Sequence, residues 1–467
     1  MSPGAGQEPM GERSFDAIVI GAGPAGEVCA GRLAAGGLAV AIVEPGLIGG
    51  ECSFYACMPS KALLRPAEAL AEARRVPGAA EALSGELDVA AVLARRDEVI
   101  HDLDDSGQLP WLEQRGIELV RGHARLDGER RVRVGDELLL ARTAVVVATG
   151  SGALIPPIDG LREAAPWTNR EITTTRKVPA RLAILGGGVV GVEMAQAWRT
   201  LGSQVTLIEA IDRLISREEP FASEQVEASL RERGVDVRLG SKAKAVARDG
   251  EGAVTVELEQ GPAVAADELV VAIGRRPHTD DLGLDTVGLE GGSSIEVDER
   301  MRALAVAGDW LYAIGDVNGR ALLTHMGKYQ ARAAADVILG RDAAVTEDGA
   351  GSPRVIFTDP QVAAVGHTLQ SAQDAGIDAR AVDKPTSGNA GGSFYGRGAP
   401  GTARLVVDRD RGVLAGATFT GAEAAELLHA ATIAVVGAVP LDRLWHAIPS
   451  FPTRSEVWLH LLEEYGL

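Results

Sequence analysis

Two stretches of this chain repeat one physical device, and that repeat limits the possible folds more than any other feature. Phe15 to Glu44 reads FDAIVIGAGPAGEVCAGRLAAGGLAVAIVE, and Arg181 to Glu209 reads RLAILGGGVVGVEMAQAWRTLGSQVTLIE. Each opens with an apolar strand, turns on glycines, continues as an Ala-rich helix, turns again at a glycine, and ends in a second apolar strand closed by Glu. Glycines at 21, 23 and 26, and again at 186, 188 and 191, fit the dinucleotide-binding fingerprint. These glycines permit the tight turn, let a pyrophosphate approach the backbone, and let helix and strand pack closely. The helix N-terminus then faces phosphate with free N–H groups and a favourable dipole. In both units the acidic residue lies 23 positions after the first glycine, from 21 to 44 and from 186 to 209. A single fingerprint is weak evidence, but two in the same strand–helix–strand setting predict two dinucleotide sites.

Other apolar runs close with small residues: AVVVATG (Ala144 to Gly150), ELVVAIG (Glu268 to Gly274) and WLYAIGD (Trp310 to Asp316). Such runs are typical of buried parallel strands, and their terminal glycines sit where an open α/β sheet places its ligand crevice. After about residue 345 the texture changes. Arg354 to Phe357, Ala403 to Asp408 and Val413 to Phe419 read as antiparallel strands, followed by helices around Ala422 to Val436 and Arg454 to Tyr465. This is an α+β domain without a nucleotide fingerprint. Thr386 to Gly401, rich in Gly and Ser, reads as an exposed connection.

The expected fold is therefore α/β, with two Rossmann-like dinucleotide-binding domains and a C-terminal α+β domain. The 467 residues suit about three domains at ~150 residues each. Apolar residues make up 46% and aromatics only 4%, so Ala, Val, Leu and Gly must build the cores. A net charge of −19 argues against nucleic acid or an anionic membrane as the main partner. No apolar run approaches the ~20 residues needed to span a bilayer. Met1 to Glu12 lacks the basic and apolar regions of a signal peptide. The expected location is the cytoplasm, with residues 1–13 a disordered leader.

Directly after the first fingerprint unit comes GGECSFYACMPSK, Gly49 to Lys61. Four residues separate Cys52 from Cys57, so the thiols can approach disulfide geometry if the helix is locally distorted. Two buried small hydrophobes would fit the same spacing. A zinc half-site would too, although no second Cys/His pair follows at ligand spacing. Cys29, inside the first fingerprint helix, reads as core packing.

This cysteine run behind an FAD-type fingerprint resembles the redox-active disulfide of the class I pyridine nucleotide-disulfide oxidoreductases, the family of dihydrolipoamide dehydrogenase, glutathione reductase and mercuric reductase. The resemblance extends from about Phe15 to about Glu464. It takes in the second fingerprint, the AIGD segment ending at Asp316, and PRVIFTDPQVAAVG (Pro353 to Gly366). It implies an FAD-binding domain over residues 14–150 and 280–345, an NAD-binding domain over 151–279 and a dimerisation domain over 346–467. Gly21, Gly23, Gly26 and Glu44 would hold the FAD diphosphate and adenosine ribose. Asp316 would bond the ribityl chain, with Gly50, Thr149 and Gly150 along the FAD path. Cys57 resembles the thiol beside the flavin, and Cys52 the interchange thiol that meets substrate. Lys61 matches the lysine near the flavin, and Glu193 its ion-pair partner; a buried lysine without that carboxylate would be costly.

Gly186, Gly188, Gly191 and Gly274 would line the nicotinamide nucleotide site, where Glu209 favours NADH. A carboxylate there accepts from the ribose 2′-OH and repels a 2′-phosphate. The implied protein is a homodimeric enzyme that passes electrons from NADH through FAD and the cysteine pair to a small thiol-reactive acceptor: a disulfide, quinone or metal ion.

The family pattern breaks at one place. Its C-terminal segment carries a histidine before Pro-Thr, delivered from the partner subunit to move protons at the interchange thiol, and a glutamate that orients it. Here Phe451 stands in the histidine's place, while Glu456 is retained. A phenyl ring neither lowers a thiol pKa nor donates a proton. His446 and Tyr55 are candidate stand-ins. Phe at this place also resembles 2-ketopropyl-coenzyme M oxidoreductase/carboxylase, which cleaves a C–S bond. A catalytically weak NADH-sensing relative is a further alternative.

Overall fold

The computed structural model describes residues 12–396, 399 and 401–467. Most of the expected leader, residues 1–11, lies outside the described residues, and Glu12 and Arg13 already belong to the first strand, Glu12–Ile20. The chain forms two compact units. Among the described residues, one comprises residues 12–54, with Ile100–Gly152 and Arg275–Gly349; the other comprises Tyr55–Val99, Ala153–Gly274 and the described part of Ala350–Leu467.

In the first unit, the apolar runs of the first fingerprint stand side by side. The parallel strands follow the order Glu118–Arg121, Val40–Glu44, Glu12–Ile20, Glu137–Val147, Leu311–Ala313. Ala17 faces Val40 on one side and Ala144 on the other. The second half of the central strand, from Ala17 to Ile20, is apolar without alternation because both faces are covered, and Ala17, Ile18 and Val19 are fully buried. The Pro24–Ala35 helix buries Cys29, Ala30 and Leu33 in the same core. Burying one such Leu, Ile or Val contributes about 1.5–3 kcal/mol.

In the second unit, the second fingerprint builds its own parallel sheet, in the order Asp236–Arg238, Gln204–Ile208, Arg181–Leu185, Glu268–Val271. The Val189–Thr200 helix buries Trp198 in that core. Two helices placed between the fingerprints in sequence, Cys57–Arg75 and Val89–Val99, belong to this unit, and Leu63, Leu64, Val92 and Leu93 join the same cluster. The C-terminal part is a five-stranded antiparallel sheet, in the order Arg354–Ile356, Gln361–Gly366, Val413–Gly421, Thr402–Asp408, Ala379–Pro385. Helices Ala424–Val436 and Glu456–Tyr465 complete it. The architecture is thus two Rossmann-like sheets and a C-terminal α+β domain.

One expectation is corrected. Much of the Thr386–Gly401 segment, read as exposed, is buried at Thr386, Asn389, Gly391 and Gly392. Thr386 Oγ1 donates to the Thr420 carbonyl at 2.9 Å, and Asn389 caps the Ala390–Ser393 turn by accepting from Gly392 N–H at 2.7 Å. A Cβ on Gly391 would collide with the Thr453 backbone, so glycine here serves close approach. Residues 397, 398 and 400 lie outside the described residues.

Candidate active site

Both fingerprints fold into the same cradle. Gly21 adopts a φ of +105°, where a side chain would run into the Ala148 carbonyl, and a side chain on Gly26 would run into the Gly21 carbonyl. A Cβ on Gly23, at the start of the Pro24–Ala35 helix, would meet nothing within 4 Å. The backbone there is open to a diphosphate, so the residues present fit the dinucleotide they were expected to hold. Gly50 packs so closely that its Cβ would stand 2.8 Å from Gly23 Cα. Glu44 ties the turn together: one carboxylate oxygen accepts from Ala22 N–H at 2.7 Å and the other from Gly46 N–H at 2.8 Å. Glu27, in the first turn of this helix, is an unexpected neighbour. Burial pushes its carboxyl up to about 7; Lys328 pulls it down, and Glu44 adds to the rise.

The second cradle repeats these contacts. Gly186, at φ +107°, and Gly191 leave no room for a Cβ against the Ala272 and Gly186 carbonyls, while Gly188 opens outward. Glu209 accepts from Gly187 N–H at 2.6 Å and from Ile211 N–H at 3.0 Å. Gly274, at φ +156°, ends the Glu268–Val271 side of the crevice.

Asp316 sits in the Gly315–Asn318 turn and accepts from Ser151 Oγ at 2.6 Å. Arg275 donates to Ser151 Oγ at 2.7 Å and to the Ser151 carbonyl at 2.6 Å, and its Nε lies 3.5 Å from the Asp316 carboxylate. Thr149 Oγ1 donates to the His278 carbonyl at 2.9 Å, and the Gly150 carbonyl accepts from His278 N–H at 3.0 Å. The sequence reading missed Ser151 and Arg275. The only available signal was the arginine immediately after Gly274.

The cysteines flank a break between two helices, Gly50–Phe54 and Cys57–Arg75, where Ala56 has φ −138° and ψ −94°. This is the local distortion that a bond between them requires, and Cys52 and Cys57 are joined as a disulfide. Among the described residues no cluster of three or more His, Cys, Asp or Glu could hold a metal ion. Cys29 is buried and reduced, and burial pushes its thiol up to about 12. One turn after Cys57, Lys61 Nζ lies 2.8 Å from Glu193 Oε2. The other Glu193 oxygen accepts from Phe357 N–H at 2.9 Å, and the Phe357 ring lies under the Lys61 ammonium at 4.7 Å. Phe357 thus touches both members of the pair, a role the sequence did not signal.

Tyr55, between the cysteines, has its ring covered by the Arg170 guanidinium at 4.7 Å. Phe451 is 76% exposed. Glu456 opens the last helix, and its carboxylate accepts from Gly391 N–H at 3.4 Å. His446 is exposed, and among the described residues no hydrogen bond or ion pair joins it to Glu456.

Residues 15–335 match the family described as Pyridine nucleotide-disulphide oxidoreductase, and residues 352–462 match that family's dimerisation domain. The chain belongs to the pyridine nucleotide-disulphide oxidoreductases. Among the relatives of this oxidoreductase, the dihydrolipoyl dehydrogenase of Thermus scotoductus is 33% identical over 452 residues, which cover 95% of this chain and 96% of the relative. A mercuric reductase of Staphylococcus aureus is 28% identical over 445 residues, 95% of this chain and 81% of the relative. Among solved structures, the HOCl-induced flavoprotein disulfide reductase RclA of Escherichia coli superposes with a TM-score of 0.84 at 26% identity, covering 96% of this chain and 99% of that one. That reductase has also been solved as a Cu(II) complex. Among the described residues no helix is long and apolar enough to cross a membrane.

Proposed function

We propose that this oxidoreductase binds FAD and NADH and passes electrons through Cys52–Cys57 to a small thiol-reactive acceptor. The observation that carries the reading is the disulfide at a helix break, one turn before a lysine paired with a buried glutamate. Gly21, Gly23, Gly26 and Gly50 would hold the FAD diphosphate and Glu44 the adenosine ribose. Thr149, Gly150 and Asp316, braced by Ser151 and Arg275, would line the rest of its path. Bound FAD supplies the two-electron link between a nicotinamide hydride and a disulfide. NADH would lie against Gly186, Gly188, Gly191 and Gly274. Two features of the strand end support NADH over NADPH: the Glu209 carboxylate stands there, and the nearby Arg213 guanidinium is tied to the Ser216 carbonyl.

The sulfur chemistry belongs to the chain. Two electrons and two protons open the Cys52–Cys57 bond to two thiols, and loss of one proton leaves Cys52 as the reactive thiolate. With a disulfide acceptor, the Cys52 thiolate attacks one acceptor sulfur and expels the first thiolate. Cys57 then attacks the Cys52 sulfur, expels the second thiolate and restores the protein disulfide. Solvent protonates the two products. In the family pattern an imidazole would carry those protons, a contribution of ~10²–10⁴-fold. Phe451 removes it, and the Glu456 carboxylate is engaged by Gly391. Metal ions, whose reduction takes up no proton, are therefore favoured over ordinary disulfides and over quinones, which gain two protons on becoming quinols. The Cu(II) complex of the Escherichia coli relative supports including metal ions. Phe451 also motivates a second reading, in which the dithiol drives C–S cleavage.

The enzyme works as a homodimer in this reading. Ile448 and Phe451 are 67% and 76% exposed on a chain with a matched dimerisation domain, and a second copy would cover them. A cytoplasmic setting, where NADH is supplied, completes the proposal.

The test is anaerobic incubation of the FAD-loaded enzyme with NADH, then alkylation and mass spectrometry. Cys52 and Cys57 should gain label with NADH and much less with NADPH at equal concentration, and Cys57→Ser should abolish NADH-driven reduction of the acceptor. NADH consumption with an acceptor while both cysteines stay oxidised would sink the dithiol mechanism. Release of a thiol from a thioether would favour the second reading.

A further inference from the structure

The Cys52–Cys57 loop is fastened to a helix that lies more than a hundred residues further along the chain. In a continuous helix the Tyr55 carbonyl would accept from the N–H of residue 59, but Pro59 has none. Two buried side chains of the Asn169–Thr174 helix reach it instead: Asn169 Nδ2 donates at 3.0 Å, and Thr173 Oγ1, at 3.1 Å, shares its one proton between this carbonyl and that of Asn169 at 2.8 Å. That helix is itself immobilised at both ends. Thr168 and Glu171 form a capping box at its start. At its end the fully buried Arg96 guanidinium donates to the Thr173 carbonyl and, at 2.9 Å, to the Thr175 carbonyl. A polar path therefore runs from a buried arginine to the residue two positions before Cys57.

We infer that Asn169 and Thr173 are positioning residues that set the balance between disulfide and dithiol at Cys52–Cys57. The inference rests on the reading of this pair as a redox disulfide. While the S–S bond is intact, the loop is closed covalently and gains little from losing its anchor. Once the bond is broken, an unanchored loop gains conformational freedom that only the dithiol can use. The two donors withhold that freedom and so favour the disulfide. Removing either should shift the equilibrium towards the dithiol by about five- to tenfold, the scale of one hydrogen bond. Tenfold corresponds to about 30 mV for this two-electron couple.

Dithiothreitol tests this apart from nicotinamide chemistry. One dithiothreitol closes to its cyclic disulfide while the Cys52–Cys57 bond opens to two thiols, so electrons and hydrogens balance. FAD-loaded wild type, Asn169→Ala, Thr173→Val and Thr173→Ser are equilibrated anaerobically against graded ratios of reduced to oxidised dithiothreitol, then alkylated and counted. Asn169→Ala and Thr173→Val should reach half-reduction at ratios about five- to tenfold lower, and Thr173→Ser should track the wild type because it keeps the hydroxyl. If Thr173→Val does not fold, Asn169→Ala carries the test. Folded Asn169→Ala with the wild-type midpoint, or Thr173→Ser shifted as far as Thr173→Val, overturns the inference. Failure of NADH to open the pair would count against the proposed function and would leave this midpoint comparison readable.

Discussion

The Lys61–Glu193 pair allows a quantitative test of whether its ionic bond, rather than its packing, holds this part of the site together. Glu193 has a side chain 4% exposed and Lys61 one 35% exposed, with 2.8 Å between them. Breaking a buried pair from one side costs ~3–5 kcal/mol, because the remaining charge stays uncompensated. Water reaches about a third of Lys61, which lowers its share to ~2 kcal/mol. Glu193→Leu also strips the acceptor from Phe357 N–H, adding ~1–2 kcal/mol. The single variant should therefore lose ~3–4 kcal/mol. Lys61→Met keeps the stem and a contact with the Phe357 ring but strands the Glu193 carboxylate, at ~2–3 kcal/mol. In the double variant neither charge is stranded and only the Phe357 N–H lacks an acceptor, so its loss should be ~1–2 kcal/mol, about 4–5 kcal/mol short of the sum. Urea unfolding of the purified FAD-loaded protein gives the four free energies, and the melting points should order the same way, at roughly 1 °C per kcal/mol for a chain of this size. Strict additivity would mean that the pair contributes no coupling. A double variant that recovers stability yet no longer yields NADH-dependent labelling of Cys52 and Cys57 would separate the pair's structural from its chemical role.

Three further outcomes follow from particular groups. Phe451→His should raise turnover of glutathione- or lipoamide-type disulfides by at least ~10-fold, within the range of general acid–base catalysis; an unchanged rate in a folded dimer would mean that the acceptor pocket is limiting. Glu27 has its carboxyl raised by burial from 4.5 to about 7, so between those values the folded chain holds a proton the unfolded chain has lost. Its stabilising contribution is full below the lower value and fades as pH rises through the upper one. Glu27→Gln should therefore match the wild type near the lower value and exceed it by roughly 1–3 kcal/mol at pH 8, whereas parallel stability curves would refute the assignment. Cys29, fully buried with its thiol at about 12, should stay unlabelled by alkylating agent in the NADH-reduced native enzyme and react only on unfolding. A third labelled cysteine under native conditions would contradict its place in the core.

The sequence made legible whatever a local rule enforces. Gly21 and Gly186 are required by positive φ against a carbonyl, and Gly26 and Gly191 by helix–strand contact. Such positions identify themselves within a single βαβ unit. Contacts between distant segments carry no local mark. Ser151 and Arg275 brace Asp316 from positions 165 and 41 residues away, and Asn169 reaches Tyr55 across 114. The Gly-rich segment after Thr386 was misread for a related reason. Glycine that gives flexibility and glycine that permits close packing look alike until the neighbour, here the Thr453 backbone, is known.

The same ambiguity governs the departure from the family pattern. Glu456 is retained in the sequence, which by itself suggests a retained task. In the structure its carboxylate accepts from Gly391 N–H, and that glycine packs on the Thr453 backbone, two residues after Phe451. The contact ties the start of the last helix to the Gly391 turn, beside the segment that carries Phe451. Under the proposed function, a Phe451 that carries no proton would favour an acceptor whose reduction by the Cys52 thiolate leaves nothing to protonate. Soft metal ions would meet that condition directly; a quinone would not, because it takes up two protons on becoming a quinol, and a thiol product would meet it only if it left as a stable thiolate.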